Sequence, residues 1–302
     1  MGLLNDLQAE IGRRKLSTGG WAGGNGRRAS IETTCYALMA LRDDQRPARE
    51  EGVDLLLRTQ HPDGSWPAFE GDDPEGCWTT SLAAIALRFV HAPSTHDERA
   101  PRWLLHSKAR ESHWFWKWKF RTADRAVQFN PDKYGWPWFP GTVSWVIPTA
   151  FSLIALKQSF PCCRTGKVSD RLQLGIEMLQ DRVCPGGGWN AGNGIVLGSA
   201  LKPHIDTTAI ALLALTGDAY AAARQSLSWL RRAFLECSSA YSLAWSAIAF
   251  VVHHDPDLDR CMAVLHRVLS SKISVSNIET LSLAAIAIHA AEGHANPFRV
   301  VI

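Results

Sequence analysis

The sequence predicts an all-α protein in which six apolar helices alternate with six amphipathic ones. Six segments of eleven residues align without gaps, and each is too apolar to form a surface helix. A segment with one polar face precedes each of them, which is typical of a helix with one wet side. Six apolar helices enclosed by six amphipathic ones form a ring, an (α/α)6 toroid. The aligned segments begin at Ile31, Cys77, Val146, Ile205, Ala240 and Ile278.

The amphipathic segments complete the predicted hairpins. They are predicted at 3–13, 47–60, 98–110, 169–182, 220–235 and 257–270. A linear solenoid of hairpins is the alternative, but it would expose an apolar face at each end. Neither terminal repeat is polar enough to cap such an end, so the ring is favoured. Residues 1–302 are therefore predicted as one domain, with a Trp-rich insertion at about 111–145.

Glycine-containing turns repeat where the outer helices end. Residues 52–66 align residue for residue with 175–189, and 7–21 form a weaker third copy. Glycine tolerates positive φ and ends a helix abruptly. We expect Trp21, Trp66 and Trp189, which follow these turns, to fold back on the helix ends as structural clamps.

Composition excludes several classes of function. The 32 basic and 29 acidic residues leave a net charge of +3, too small for an electrostatic nucleic-acid footprint. Seven cysteines without a CxxC motif suggest neither a disulfide framework nor a cysteine zinc site. The N-terminus lacks a secretory h-region, and no apolar run reaches the ~18 residues of a membrane span. We expect a cytoplasmic protein, with contact to a membrane surface left open.

The insertion contains six of the thirteen tryptophans. Residues 114–120 (WFWKWKF) alternate with period two, which predicts a short strand or an extended flap. Tryptophan with lysine is also typical of a membrane interface. We expect this segment to cover the cavity, touch a membrane surface or contact a partner.

Equal register places the second residue of every apolar segment at one mouth of the ring. Acids there would line a pocket or simply cap the first helical turn. Ser276 and Glu279 have the spacing of a capping box, whereas Ser30 and Glu32 do not. The six second-position residues are Glu32, Trp78, Ile147, Asp206, Tyr241 and Glu279.

Two motifs carry a family resemblance. The segment GVDLLLRTQHPDGSW resembles the QW motif of the squalene-cyclase and protein-prenyltransferase superfamily, which ends like Gln60, Gly64 and Trp66. The segment HIDTT resembles the D-x-D-T-T signature of class II terpene cyclases, with Asp206 in the central position. His204 stands where that signature has its first Asp, while Thr207 and Thr208 match its two threonines.

The resemblance implies a cyclase that protonates an isoprenoid in an apolar, aromatic-lined cavity, without a metal site or bound cofactor. Asp206 would be the acid and His204 its neighbour. Aromatic faces would stabilise the carbocation by ~1–2 kcal/mol each. Arg27, Arg28 and Lys202 would anchor a diphosphate if the substrate carries one, and Mg²⁺ would be needed only then. The predicted cavity lining is Glu32, Trp78, Trp145, Thr207, Tyr241, Trp245 and Glu279.

Two other functions fit the same ring. One is a non-catalytic protein that binds an isoprenoid or lipid in the cavity. The other is a glycan-active enzyme that uses two of Glu32, Asp206 and Glu279 as acid and base, which requires carboxylates roughly 5–10 Å apart in a groove.

Overall fold

The computed structural model describes residues 2–24, 26–42, 45–71, 74–92, 99–123, 127–160, 166–218, 221–270, 273 and 276–300. These residues form helices and one two-stranded antiparallel sheet, β1 (Ile195–Val196) with β2 (Ser199–Ala200). The helices are α1 (Leu3–Arg13), α2 (Ile31–Ala40), α3 (Arg46–Thr59), α4 (Thr79–Phe89), α5 (Arg99–His106), α6 (Trp114–Thr122), α7 (Val146–Ser159), α8 (Gly166–Asp181), α9 (Ile205–Ala214), α10 (Ala221–Ala233), α11 (Ala240–Val252), α12 (Leu258–Leu269) and α13 (Ile278–Ala291).

The inner helices close into a ring. Each of α2, α4, α7, α9, α11 and α13 packs on the next in that order, and α13 packs on α2. Helix α1 also packs on α13, so the first and last hairpins touch. The predicted toroid is confirmed, and the linear solenoid is excluded.

Sequence explains which helices lie inside. Helix α9 buries every residue from Thr207 to Ala214, whereas α3 buries only Gly52, Leu55 and Leu56. Five of the six inner helices begin at the predicted residue. Helix α4 begins two residues late, at Thr79, and the backbone N–H of Trp78 just before it donates to the Trp138 carbonyl.

Four tryptophans fasten the ends of outer helices to the inner ring. In each, the indole Nε1 donates to a carbonyl of the preceding outer helix, and the backbone N–H donates to a threonine of the following inner helix. The clamps on Trp21, Trp66 and Trp189 are therefore confirmed. The acceptors are Ile11 O and Thr34 Oγ1 for Trp21, Leu56 O and Thr80 Oγ1 for Trp66, Leu104 O and Thr149 Oγ1 for Trp136, and Leu179 O and Thr208 Oγ1 for Trp189.

The fourth clamp was not predicted. Its indole acceptor lies 32 residues before Trp136, whereas in the other three clamps it lies 10 residues before the tryptophan. The insertion separates the two halves of this clamp, so the repeat spacing that revealed the others is lost.

The predicted strand or flap at 114–120 is wrong, because this segment is helix α6. His113 caps it, its Nδ1 accepting from Phe115 N at 3.3 Å. The rings of Trp116 and Phe120 pair at 5.9 Å, and Lys119 Nζ lies 4.7 Å from the Trp116 ring centroid. In a helix these residues form side-chain pairs at i,i+3 and i,i+4. The alternating sequence is therefore compatible with a helix as well as with a strand.

No helix in the described ranges has both the length and the hydropathy needed to span a membrane.

Candidate active site at one mouth of the ring

The first turns of the inner helices form one mouth of the ring, and two layers of side chains line it. The second-position residues form the outer layer and are all half-buried. One turn deeper, the sixth-position residues are at most 1% exposed. This inner layer is therefore a floor that closes the mouth. Its members are Tyr36, Leu82, Phe151, Ile210, Trp245 and Leu283.

Aromatic rings cross the centre of this floor. The Trp245 ring lies 6.0 Å from Tyr36, 5.8 Å from Phe151 and 6.5 Å from Tyr241, centroid to centroid. Trp245, predicted as part of the cavity wall, is thus fully buried in the floor. The sixth position of the repeat could have identified Tyr36 and Phe151, which sequence reasoning missed.

Phe298 supports the floor from the opposite side. Its buried ring packs 4.9 Å from Trp245 and 6.1 Å from Phe151. Gln158 Nε2, at the end of α7, donates to the carbonyls of Pro297 and Arg299 and holds this segment in place. Phe298 lies outside the repeats, so no periodic signal marks it.

Glu32 and Glu279 lie side by side on the neighbouring helices α2 and α13. Thr33 Oγ1 donates to Glu279 Oε1 at 2.5 Å. Glu279 Oε2 is buried and has no hydrogen-bond partner among the described residues. The capping-box interpretation is wrong, because Asn277 caps α13 by accepting from Thr280 N. Glu279 instead faces its neighbour helix.

The electrostatics single out Glu32. Burial and the adjacent negative charge of Glu279 raise the pKa of the Glu32 carboxyl to about 7. Burial also raises the pKa of the Tyr36 and Tyr241 phenols, and Glu32 adds to both shifts. Glu32 is therefore an acid that keeps its proton close to neutral pH, beside the aromatic floor.

A loop shields the Glu32–Glu279 pair. An added Cβ on Gly23 would lie 3.2 Å from Glu279 Oε1 and 3.3 Å from Thr33 Oγ1. The glycine allows the backbone of the loop before α2 to approach the pair this closely.

Asp206 lies in the same register, two inner helices away from Glu279. Its carboxylate is half-buried and makes no hydrogen bond to any described residue. Its charge contributes to the raised pKa of Tyr241 and of Cys237, which places it at the same mouth. His204 is exposed, and its side chain makes no capping bond to α9.

The two threonines after Asp206 have different environments. Thr207 is buried. Thr208 Oγ1 accepts from Trp189 N at 2.9 Å and belongs to a clamp. Because the same clamp uses Thr34, Thr80 and Thr149 in other repeats, the second threonine of HIDTT has a structural role that the repeat explains.

Trp78 and Trp145 line the α4–α7 side of the mouth. Trp78 packs on Trp138 at 5.0 Å and on Phe151 at 5.8 Å. Trp145 is half-buried and lies against Gly192, where an added Cβ would be 3.2 Å from its ring.

The predicted diphosphate anchors are exposed on loops before α2 and α9. Arg28 lies over the Phe69 ring at 5.5 Å, while Arg27 and Lys202 extend into solvent. Within the described ranges, no three His, Cys, Asp or Glu residues are arranged to hold a metal ion.

Comparison with known proteins relates this geometry to cyclases. No family model matches the chain. Squalene–hopene cyclase from Bradyrhizobium diazoefficiens is 31% identical over 107 residues, which cover 35% of this chain and 14% of that enzyme.

Solved structures match the whole ring. The type II terpene cyclase MstE from Scytonema, bound to geranylgeranyl dihydroxybenzoate as substrate, superposes with a TM-score of 0.62 at 16% identity, covering 96% of this chain and 97% of that one. MstE bound to its product merosterolic acid A gives 0.61 at 14% identity, covering 96% of each chain. An α-1,6-mannanase of Salegentibacter gives 0.58 at 10%, covering 95% and 97%. The resemblance inferred from the motifs is thus confirmed for the fold: the chain has the (α/α)6 toroid fold of the type II terpene cyclases.

Proposed function

We propose that the chain cyclises an isoprenoid by protonating an alkene at this mouth, and that Glu32 is the proton donor. One observation carries the proposal: the half-buried carboxyl of Glu32, whose pKa is raised to about 7 by desolvation and a second carboxylate, lies beside an aromatic floor. An acid that protonates an alkene must carry its proton at the working pH, and burial of Glu32 meets that condition.

The proposed step is balanced within the site. The π electrons of the alkene form a new C–H bond with the Glu32 proton, leaving a carboxylate and a carbocation. A second alkene of the substrate then attacks the cation and closes a ring. The cyclic cation finally returns a proton to the Glu32–Glu279 pair, which restores the acid and leaves a neutral cyclic product. The Glu279 carboxylate and the faces of Tyr36, Tyr241 and Trp245 would stabilise the cation. This attraction would offset the weaker acidity that the neighbouring Glu279 charge imposes on Glu32.

Asp206 is the second candidate donor, favoured by the HIDTT motif. Like Glu32 it is half-buried, but its neighbours in the outer layer, Ile147 and Tyr241, carry no carboxyl. Substitution separates the two candidates, as described in the Discussion.

The substrate class follows from the floor and from the solved neighbours. The floor is apolar, and MstE binds a geranylgeranyl compound as its substrate. If the substrate carries a diphosphate, Arg27, Arg28 and Lys202 would bind it at the rim, together with Mg²⁺.

The test is product analysis. The purified chain is incubated with farnesyl diphosphate, geranylgeranyl diphosphate and squalene, and the extracts are analysed by gas chromatography and mass spectrometry against heat-denatured protein. New cyclic isomers would support the proposal. A ligand that stays bound but is recovered unchanged would favour the non-catalytic carrier instead.

One observation supports the glycan alternative, namely that the solved α-1,6-mannanase has a similar fold. The shielded Glu32–Glu279 pair above an aromatic floor suits an apolar substrate better than an open sugar groove. Release of reducing sugars from α-1,6-mannan, without cyclic isoprenoid products, would reverse this preference.

A further inference from the structure

Helix α6 presents its aromatic residues to solvent. Trp114 is 72% exposed, Trp118 56% and Phe115 42%, and no residue of the helix is buried. At 100° per residue these three side chains share one face. They form the outward aromatic face of α6, and a solvated helix would ordinarily place polar residues there.

The opposite face fastens the helix to the protein. Phe120 packs on Phe129 at 5.2 Å, and Lys117 Nζ lies 3.3 Å from Asp132 Oδ1. The outward aromatic face is therefore held in a fixed orientation. The three aromatic side chains are therefore exposed even though the helix itself is packed against the rest of the chain.

Basic side chains flank the outward aromatic face. Helical geometry places Lys119 along one edge and Arg121, which pairs with Asp132, along the other, and the α6 sequence WFWKWKFRT contains no acidic residue. Aromatic rings between cations are the composition of a helix that lies in the headgroup region of an anionic bilayer. With nine residues, α6 is ~13 Å long and too short to cross a membrane.

The start of α6 lies near the candidate active site. Arg110, just before α6, donates from Nε to the Gly141 carbonyl. The loop that contains Gly141 also carries Trp138, which packs on Trp78 at the mouth. Phe139, 46% exposed, belongs to this loop as well.

We propose that the outward aromatic face of α6 docks on the surface of an anionic lipid bilayer. Docking there would bring the mouth of the ring close to a phase in which apolar molecules concentrate. The proposal does not depend on the cyclase reaction, because vesicle binding is measured without substrate.

The test is cosedimentation of the full chain with vesicles of phosphatidylcholine alone or mixed with phosphatidylglycerol. We expect the parent to bind the anionic vesicles, more weakly as salt increases. Trp114→Ala/Trp118→Ala should lower the partition coefficient at least ~tenfold. The control, Leu235→Ala, removes an apolar side chain that is 38% exposed outside α6 and should bind like the parent. Circular dichroism checks that every variant is folded.

Three results would overturn the proposal. The parent could fail to bind anionic vesicles, or the double tryptophan variant could bind as well as the parent. Alternatively, the parent could form a dimer without lipid that Trp114→Ala/Trp118→Ala abolishes, which would make this face an interface between two copies of the chain.

Discussion

The two acidic sides of the mouth share one register but differ in environment. Glu32 and Glu279 lie on adjacent helices under a loop, and burial with like charge raises the pKa of Glu32 to about 7. Asp206 occupies the same repeat position on α9 and is half-buried like Glu32, but its neighbours in the outer layer, Ile147 and Tyr241, carry no carboxyl. The repeat position therefore determines at which end of the ring an acid lies, whereas the side chains around it determine its pKa.

The largest stability effect is expected on the Asp206 side, from the clamp beside it. Thr208→Val should lower the free energy of unfolding by about 1–3 kcal/mol, because the buried N–H of Trp189 loses its acceptor. Chemical denaturation measures the change. Thr122→Val, at an exposed threonine that bonds only the Trp118 carbonyl, is the matched control. An unchanged stability for Thr208→Val would remove the structural explanation of the second threonine in HIDTT.

Glu32→Gln should stabilise the protein at pH 8 but not at pH 4. A raised pKa means that deprotonating Glu32 costs the folded state stability, and this cost develops as pH rises from the ordinary value of 4.5 to about 7. Gln is neutral throughout, so the Tm of the variant should exceed that of the parent by about 1–3 °C at pH 8. Equal Tm values at both pH values would mean that Glu32 is not desolvated.

Glu279→Gln should also raise the Tm at pH 8, but by less than Glu32→Gln does. It removes the second cause of the raised Glu32 pKa but leaves burial, the larger one. The loss of stability should still begin near pH 4.5, but it should end at a lower pH than in the parent and be smaller in total. Thermal melts across pH 4 to 9 measure it, and Asn277, which caps α13, is left unchanged. If the profile does not move, the two carboxyls do not interact.

Asp206→Asn should have the smallest effect on stability. Asn retains the size and polarity of Asp near a helix start, where the two residues are about equally good caps. We expect a Tm within about 1 °C of the parent at pH 5 and pH 8, by the same melts. A large pH-dependent change would show that the Asp206 side is as strongly coupled to the fold as the Glu32 side.

The ring was predictable because the pattern of apolar segments in the sequence is periodic. Six apolar segments in equal register, with threonine at the fourth position of four of them, fix the inner helices and three of the clamps. Periodicity failed at α6, where pairs of aromatic residues are compatible with a strand and with a helix.

The chemistry of the mouth was less predictable. The pKa of Glu32 depends on Glu279, which lies more than two hundred residues later in the sequence, and the floor depends on Phe298, which belongs to a segment outside the repeats. The HIDTT motif indicated Asp206 as the acid, although the equal register of the repeats had already placed Glu32 at the same mouth. Long-range packing sets the environment of each acid, and a short motif does not record it.

The central claim is that Glu32 gives the proton, and turnover of two variants tests it most directly. Parent, Glu32→Gln and Asp206→Asn are compared on the isoprenoid that the parent cyclises, with binding of that ligand measured by native mass spectrometry. We expect Glu32→Gln to bind the ligand but lose at least ~100-fold in product formation, as loss of an acid catalyst requires, while Asp206→Asn keeps most of its activity. Loss of activity in Asp206→Asn with a fully active Glu32→Gln would contradict this account and return the proton donor to the HIDTT motif.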